Sequence, residues 1–158
     1  MKHDAALDSI DLAILAELQN DARLPNKELA ERLGVAPSTS LERVRSLRRR
    51  GVITGFRATV DTARLGRPLQ ALLALRVRPH ASRLVDPLRA FVLALPETIT
   101  LFHVAGPQDL LVHVAVADAD HLHRLVLEKF LVRQEIVHLE TTLIFKTEHQ
   151  PVQRPSEM

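Results

Sequence analysis

The sequence predicts an α+β protein in two parts: an N-terminal helix-turn-helix module of the winged type and a C-terminal ferredoxin-like βαββαβ domain. Three observations carry this expectation. Apolar residues recur at helical spacing up to about Leu47 and in strand-length runs from Leu69 onward. Two short helical patterns flank a turn that begins at Gly34. Beyond Leu69 the patterns follow the order β, α, β, β, α, β.

The first helix is expected over residues 9–20, where Ile10, Ala13, Ile14 and Leu18 share a face. Asp8 is placed to cap it, and Asp11 lies in the first turn, where the helix dipole favours an anion. Pro25 opens the second helix at its first position, Leu29, Ala30 and Leu33 form its apolar face, and Gly34 ends it. Pro37 starts a third helix whose stripe of Leu41, Val44 and Leu47 reads as core and whose stop is Gly51. Projected at about 100° per residue, that stripe leaves Ser38, Thr39, Glu42, Ser46 and Arg49 near the opposite face, with Arg43, Arg45 and Arg50 toward the sides.

Residues 52–60 read as a strand, which gives a first domain of residues 1–60, and the turn-rich residues 61–68 read as a hinge. In the second domain, residues 69–146, strands are expected at 69–77, 99–105, 110–117 and 137–145 and helices at 82–95 and 118–132. Gly106, Pro107, Gln108 and Asp109 form a tight connection between the middle strands. Residues 147–158, polar and carrying Pro151 and Pro155, read as a flexible tail.

The strands do not alternate cleanly. Leu72, Leu73, Ala74 and Leu75 are consecutive, and the run from Leu110 to Val116 is broken only by His113. A sheet with helices on one face and water on the other needs one apolar face only. The second face is therefore expected to be covered by another subunit in a homodimer.

Charge is divided unevenly. Of the 21 Lys and Arg and 19 Asp and Glu, 11 basic and 9 acidic residues precede Arg67, so the net charge of +2 belongs to the N-terminal part. Arg43, Arg45, Arg48, Arg49, Arg50 and Arg57 follow Glu42 with no acid between them. Such a cluster suits a polyanion, because phosphate neutralisation supplies sequence-independent affinity for DNA. Small polar groups near the start of the third helix can approach base edges while the arginines around them reach phosphates. The candidate contacts to double-stranded DNA are Ser38, Thr39 and Glu42 for bases and Arg43, Arg45, Arg49 and Arg50 for the backbone. Arg48 to Arg50 also suit a helix C-terminus, where cations meet the dipole.

With no cysteine, disulfide frameworks and thiolate chemistry are excluded. No apolar stretch approaches the roughly 20 residues that cross a bilayer, and nothing at the N-terminus reads as a signal peptide, so a soluble, cytoplasmic protein without membrane partners is expected. His121 and His123 diverge on a helix, and His103 and His113 could approach across the central hairpin but lack a third ligand. No metal and no cofactor are expected.

In their order and spacing, Leu7-Asp8 with Asp11 and Ile14-Leu15, Asp21-Ala22-Arg23, Glu28-Leu29-Ala30, Gly34-Val35, Arg43-Val44 with Leu47, and Gly51-Val52-Ile53 resemble the Lrp/AsnC (feast/famine) family of transcription regulators. Gly106-Pro107-Gln108-Asp109-Leu110 and Thr142 continue the likeness into the second domain. The resemblance implies a sequence-specific DNA-binding regulator and no enzyme. It also implies that the second domain pairs into dimers, which assemble into tetramers or octamers in many members, and binds a small effector, an amino acid, between subunits. Gly106, Asp109, Leu110 and Thr142 are its effector candidates, although Gly106, Pro107 and Asp109 are also residues that a hairpin turn favours.

Three positions depart from the family pattern: Ala36 stands where a capping serine is usual, Leu110 where an aromatic is common, and Gln134-Glu135 where Pro-Gly precedes the last strand. Two alternatives share the architecture, a tetrapyrrole (sirohaem-type) decarboxylase and a ligand-sensing module without DNA binding. The basic, Ser/Thr-bearing third helix argues against both.

Overall fold

The computed structural model describes residues 6–78 and 82–148, which form two compact units, the first of residues 6–59 with Glu148 and the second of the described residues from Val60 to Thr147. The first unit is helical, with α1 at Ser9–Asn20, α2 at Asn26–Leu33 and α3 at Pro37–Arg49. Helix α1 starts where the Asp8 carboxylate accepts the Asp11 backbone N–H at 2.9 Å, satisfying one of the donors that a helix start leaves open. Pro25 caps α2 from just outside it: its extended backbone turns its carbonyl to accept the Leu29 N–H at 2.9 Å, so the helix begins one residue later than expected. Gly34, with φ of 66°, closes α2 in the left-handed conformation that costs glycine nothing. Pro37 opens α3, but Ala36 before it supplies no side-chain cap.

Ile14, Leu24, Leu29 and Leu47 form the core of this unit, and Val44, Val52 and Ile53 pack against it. The stripe expected from Leu41, Val44 and Leu47 is displaced. Leu41 is 40% exposed, whereas Ser40 is fully buried. A strict spacing of three drifts by about 60° per step around a helix, so the face that stays inward runs at four and seven residues, from Ser40 through Val44 to Leu47. Residues 52–60 form no strand. Val52 and Ile53 are drawn onto the helical core, and Phe56 and Val60 are left exposed; a strand exists only as part of a ladder, and this segment pairs with none.

The second unit is an antiparallel sheet in the order β2-β3-β1-β4, built from β1 at Leu69–Val77, β2 at Thr98–His103, β3 at Leu110–Val116 and β4 at Ile136–Ile144. Helix α4 spans Ser82–Ala94 and α5 spans Ala119–Leu125. The consecutive apolar run in β1 resolves into two faces. Ala71, Leu73, Leu75 and Val77 join Val112 and Val114 of β3 in a core completed by Leu88 and Val92 of α4 and by Leu122 and Leu125 of α5. Each fully buried leucine or valine is worth about 1.5–3 kcal/mol of transfer free energy. Leu72 and Ala74 point the other way, beside Leu111 and His113 of β3.

Helix α5 does not run regularly to residue 132. After Leu125 it widens into a π turn over Val126–Phe130. Seven residues beyond Leu122 a regular helix would carry Lys129 toward the core, and the wider turn brings Phe130 there instead, fully buried. The segment expected as a hinge is folded onto the sheet of this unit. It contains a short 3₁₀ turn at Ala63–Leu65, and the Thr62 hydroxyl accepts a hydrogen bond from Gln70 Nε2 at 3.0 Å. The tail expected from residue 147 lies almost wholly outside the described residues. Among the described residues no helix is long and apolar enough to cross a membrane.

The uncapped start of α3 has a measurable consequence. A hydroxyl at position 36 would accept the Thr39 N–H, so Ala36→Ser should stabilise the first unit by about 1 kcal/mol. Urea unfolding followed by helical circular dichroism should show the raised midpoint.

Candidate functional site

Helix α3 presents Ser38, Thr39, Leu41, Glu42, Arg45, Arg48 and Arg49 to solvent. The short polar residues lie near its N-terminal end and the long cations toward its C-terminal end, as a helix inserted end-on into a DNA groove requires. Leu41 and Arg48 were placed elsewhere by the pattern of the sequence, in the core and at the helix end. The structure adds both to the exposed face, where an aliphatic side chain suits contact with a thymine methyl group.

The arginines divide into two sets. Arg43 and Arg50, seven residues apart and hence on one stripe, turn toward α1. Arg43 Nη1 pairs with Asp8 and also reaches Asp11 Oδ1 at 3.2 Å, and Arg50 Nη1 reaches Asp11 Oδ2 at 3.3 Å. Asp11 is buried, 3% exposed, and each of its oxygens faces one guanidinium. Removing a partner from a buried charge costs far more than an exposed pair is worth, so this clamp fixes how α3 lies on α1. The second set faces out. Arg49 pairs with Glu42 at 2.8 Å, and Arg45 and Arg48 make no ion pair among the described residues. Arg45, Arg48 and Arg49 line a concave surface of about 470 Å³ with Ile53, Thr54 and Gly55.

The electrostatics follow the pairing. The Asp11 backbone N–H, and after it the Arg43 guanidinium, hold the Asp8 carboxyl below its ordinary value of 3.8. Arg49 does the same to Glu42.

In the second unit the effector candidates are spread apart. Gly106 lies in the β2–β3 connection with φ of 143°, a conformation that L side chains rarely adopt. Asp109 in the same connection is occupied by its own chain. Its Oδ2 accepts the Val77 N–H at 2.6 Å and lies 3.4 Å from Arg78 Nη1, while its backbone N–H donates to the Leu75 carbonyl at 2.8 Å. It thus fastens the end of β1 to the start of β3. Leu110 is fully buried on the helix side of the sheet. Thr142 is exposed and pairs with Leu72 on the opposite face.

His103 and His113 do not meet across the hairpin. His103 pairs with Leu110 while His113 pairs with Thr100, which sends the two rings to opposite faces, and His113 Nε2 bonds Gln70 Oε1 at 2.9 Å. No group of three His, Asp or Glu among the described residues could hold a metal ion.

The Asp8 cap and clamp predict an acid-sensitive first unit. A carboxyl whose folded pKa is depressed contributes stability that is complete above its unfolded value and is lost as pH falls from about 4 downward. Unfolding measured between pH 5 and pH 2, on the order of the carboxylate range, should show this loss, and Asp8→Asn should be less stable at neutral pH with a shallower acid slope. An unchanged slope in that variant would remove Asp8 from the account.

Comparison with known proteins places this geometry. A winged helix-turn-helix DNA-binding model matches residues 7–54, and the Lrp/AsnC ligand binding domain model matches residues 70–152. The HTH-type transcriptional regulator AldR of Mycolicibacterium smegmatis is 37% identical over 140 residues, covering 89% of this chain and 82% of its own. The leucine-responsive regulatory protein of Rhizobium meliloti is 31% identical over 140 residues, covering 89% and 90%. Among solved structures, a transcriptional regulator of Neisseria meningitidis in complex with L-methionine superposes with a TM-score of 0.85 at 27% identity, over 92% of this chain and 94% of that one. E. coli AsnC superposes with a TM-score of 0.82 at 25% identity, over 95% and 99%. With its exposed polar and basic recognition helix and both family domains in order, the chain belongs to the Lrp/AsnC family of DNA-binding transcription regulators.

Proposed function

We propose that this regulator acts in the cytoplasm as a homodimer whose two α3 helices enter successive major grooves of a palindromic operator. The observation that carries the DNA reading is the exposed face of α3, with Ser38, Thr39 and Leu41 near its start and Arg45 and Arg48 uncommitted farther along. Ser38 and Thr39 read base edges. Glu42 holds Arg49, which with Arg45 meets the backbone, and Arg43 and Arg50 act through Asp8 and Asp11 by fixing the angle of the helix. The dimer reading rests on the helix-free sheet face, where Leu72, Ala74 and Leu111 lie together and Phe102 is half exposed. A second copy covering that face removes this apolar surface from water.

We further propose that the second unit binds an amino acid, as its likeness to the L-methionine complex supports. In this chain the contacts come from the backbone around Gly106 and from groups on the face of Thr142. Asp109 shapes the loop, since its carboxylate already serves Val77 and Arg78. The amino acid alters DNA binding only by favouring one assembly or geometry over another.

Selection from a random pool of duplexes tests these readings together. The selected sites should be rough palindromes with half-sites about 10–10.5 base pairs apart, or a multiple of this. Ser38→Ala with Thr39→Ala should reduce the preference for the selected duplex over a random one about tenfold, or about 1.4 kcal/mol. At least one of the twenty or so amino acids should shift the binding curve. Selection of a single unrepeated site would contradict the dimeric reading, and an intact preference in the double variant would show that α3 faces away from the bases.

A further inference from the structure

The concave surface at the C-terminal half of α3 has a composition that base reading does not explain. Three arginines, Arg45, Arg48 and Arg49, share it with Ile53, Thr54 and Gly55, and none of these lining residues is acidic. Among the described residues Arg49 pairs with the Glu42 carboxylate, which Arg45 meets through charge alone and Arg48 does not meet in an ion pair. We infer that this surface is a receptor for one backbone phosphate of the DNA flanking each half-site, with Arg48 and Arg45 as its cations and the Thr54 hydroxyl as a neutral donor. The inference rests on the DNA-binding reading of α3 and deepens it.

Distance along the helix supports the assignment. Ser38 and Arg48 are ten positions apart, about 15 Å at 1.5 Å per residue. The major groove is only about 12 Å wide, so with Ser38 over the base edges the Arg48 end reaches the phosphate rim. The helix dipole offers a competing explanation, because cations at a C-terminus are stabilising without any ligand. That explanation covers Arg48 and Arg49. It does not cover Arg45, which stands a full turn before the end and opens into the same concavity. An inward-curving surface with adjacent unpaired guanidinium groups favours a compact, multivalent acceptor, and a phosphodiester oxygen pair accepts from two arginines at once. The same chemistry would take free inorganic phosphate, and the test separates the two.

The test is a double-mutant cycle between Arg48 and the DNA backbone. A duplex selected by the wild-type protein is rebuilt with a single neutral methylphosphonate linkage, moved one position at a time through and beyond each half-site. Wild-type protein should lose about five- to tenfold in affinity at one flanking linkage per half-site, and Arg48→Ala should lose nothing further there. Arg48→Ala should also weaken selected and random duplexes alike and lower the slope of log K against log salt by about 1. Arg48→Lys, which keeps the charge, should restore the slope.

Because Arg48 is exposed, its replacement leaves the core intact, and circular dichroism verifies this. Absence of coupling between Arg48 and every linkage, in a protein that still selects DNA, would overturn the inference and leave the reading of α3 standing. Saturable binding of inorganic phosphate by wild type but not Arg48→Ala, with no coupling to any linkage, would overturn it in favour of a free anion. Failure of the wild type to bind any duplex would overturn the reading and the inference together.

Discussion

The buried carboxylate of Asp11 governs how the first unit can meet DNA. A charge at 3% exposure is tolerated only when it is paired, and here the partners are Arg43 of α3 and Arg50, the residue that caps its C-terminus. Arg43 and Arg50 approach different oxygens of the same carboxylate, so the pair resists rotation of α3 about its own axis as well as its departure from α1. With Arg43 and Arg50 drawn inward, the outward face is left to Ser38, Thr39, Arg45 and Arg48. One buried ion cluster thereby sorts a nearly continuous run of arginines into those that hold the helix and those that are free to meet a polyanion. Asp8 belongs to the same device, since its carboxylate caps α1 and pairs with Arg43.

A parallel economy operates in the second unit. Asp109 occupies the loop from which the resemblance draws an effector contact, yet its carboxylate accepts from Val77 and its N–H donates to Leu75. This closes the otherwise open end of β1. The loop geometry around Gly106 therefore depends on Asp109, whatever binds there. The π turn after α5 serves the core in a similar way: by shifting the register by one residue it places Phe130, not Lys129, beneath the sheet.

Much of this was legible in the residues. Gly34 and Gly51 announced the ends of α2 and α3, Asp8 announced its cap, and the strand order followed from runs of apolar residues whose bounds moved by only a residue or two. Patterns of local origin are readable because their physical cause is local. What escaped depended on partners distant in sequence or on angular detail. Leu41, expected in the core, is exposed and Ser40 is buried in its place because an every-third-residue stripe drifts around a helix. The commitment of Arg43 and Arg50 required knowing that α1 brings Asp8 and Asp11 beside them, more than thirty positions away along the chain. The separation of His103 from His113 required the strand register. The strand expected at residues 52–60 failed because strand propensity is expressed only when a partner strand exists.

The Asp11 clamp links packing to recognition, and Asp11→Asn measures that link most directly. With folding verified by circular dichroism, the variant's affinities for a selected and a random duplex are compared with those of the wild type. If the clamp holds α3 in its reading position, the preference for the selected sequence falls by about tenfold or more, about 1.4 kcal/mol, while affinity for the random duplex is retained through Arg45 and Arg48. An unchanged preference in a folded Asp11→Asn protein would contradict it, and would mean that α3 is held in its reading position by the apolar core alone.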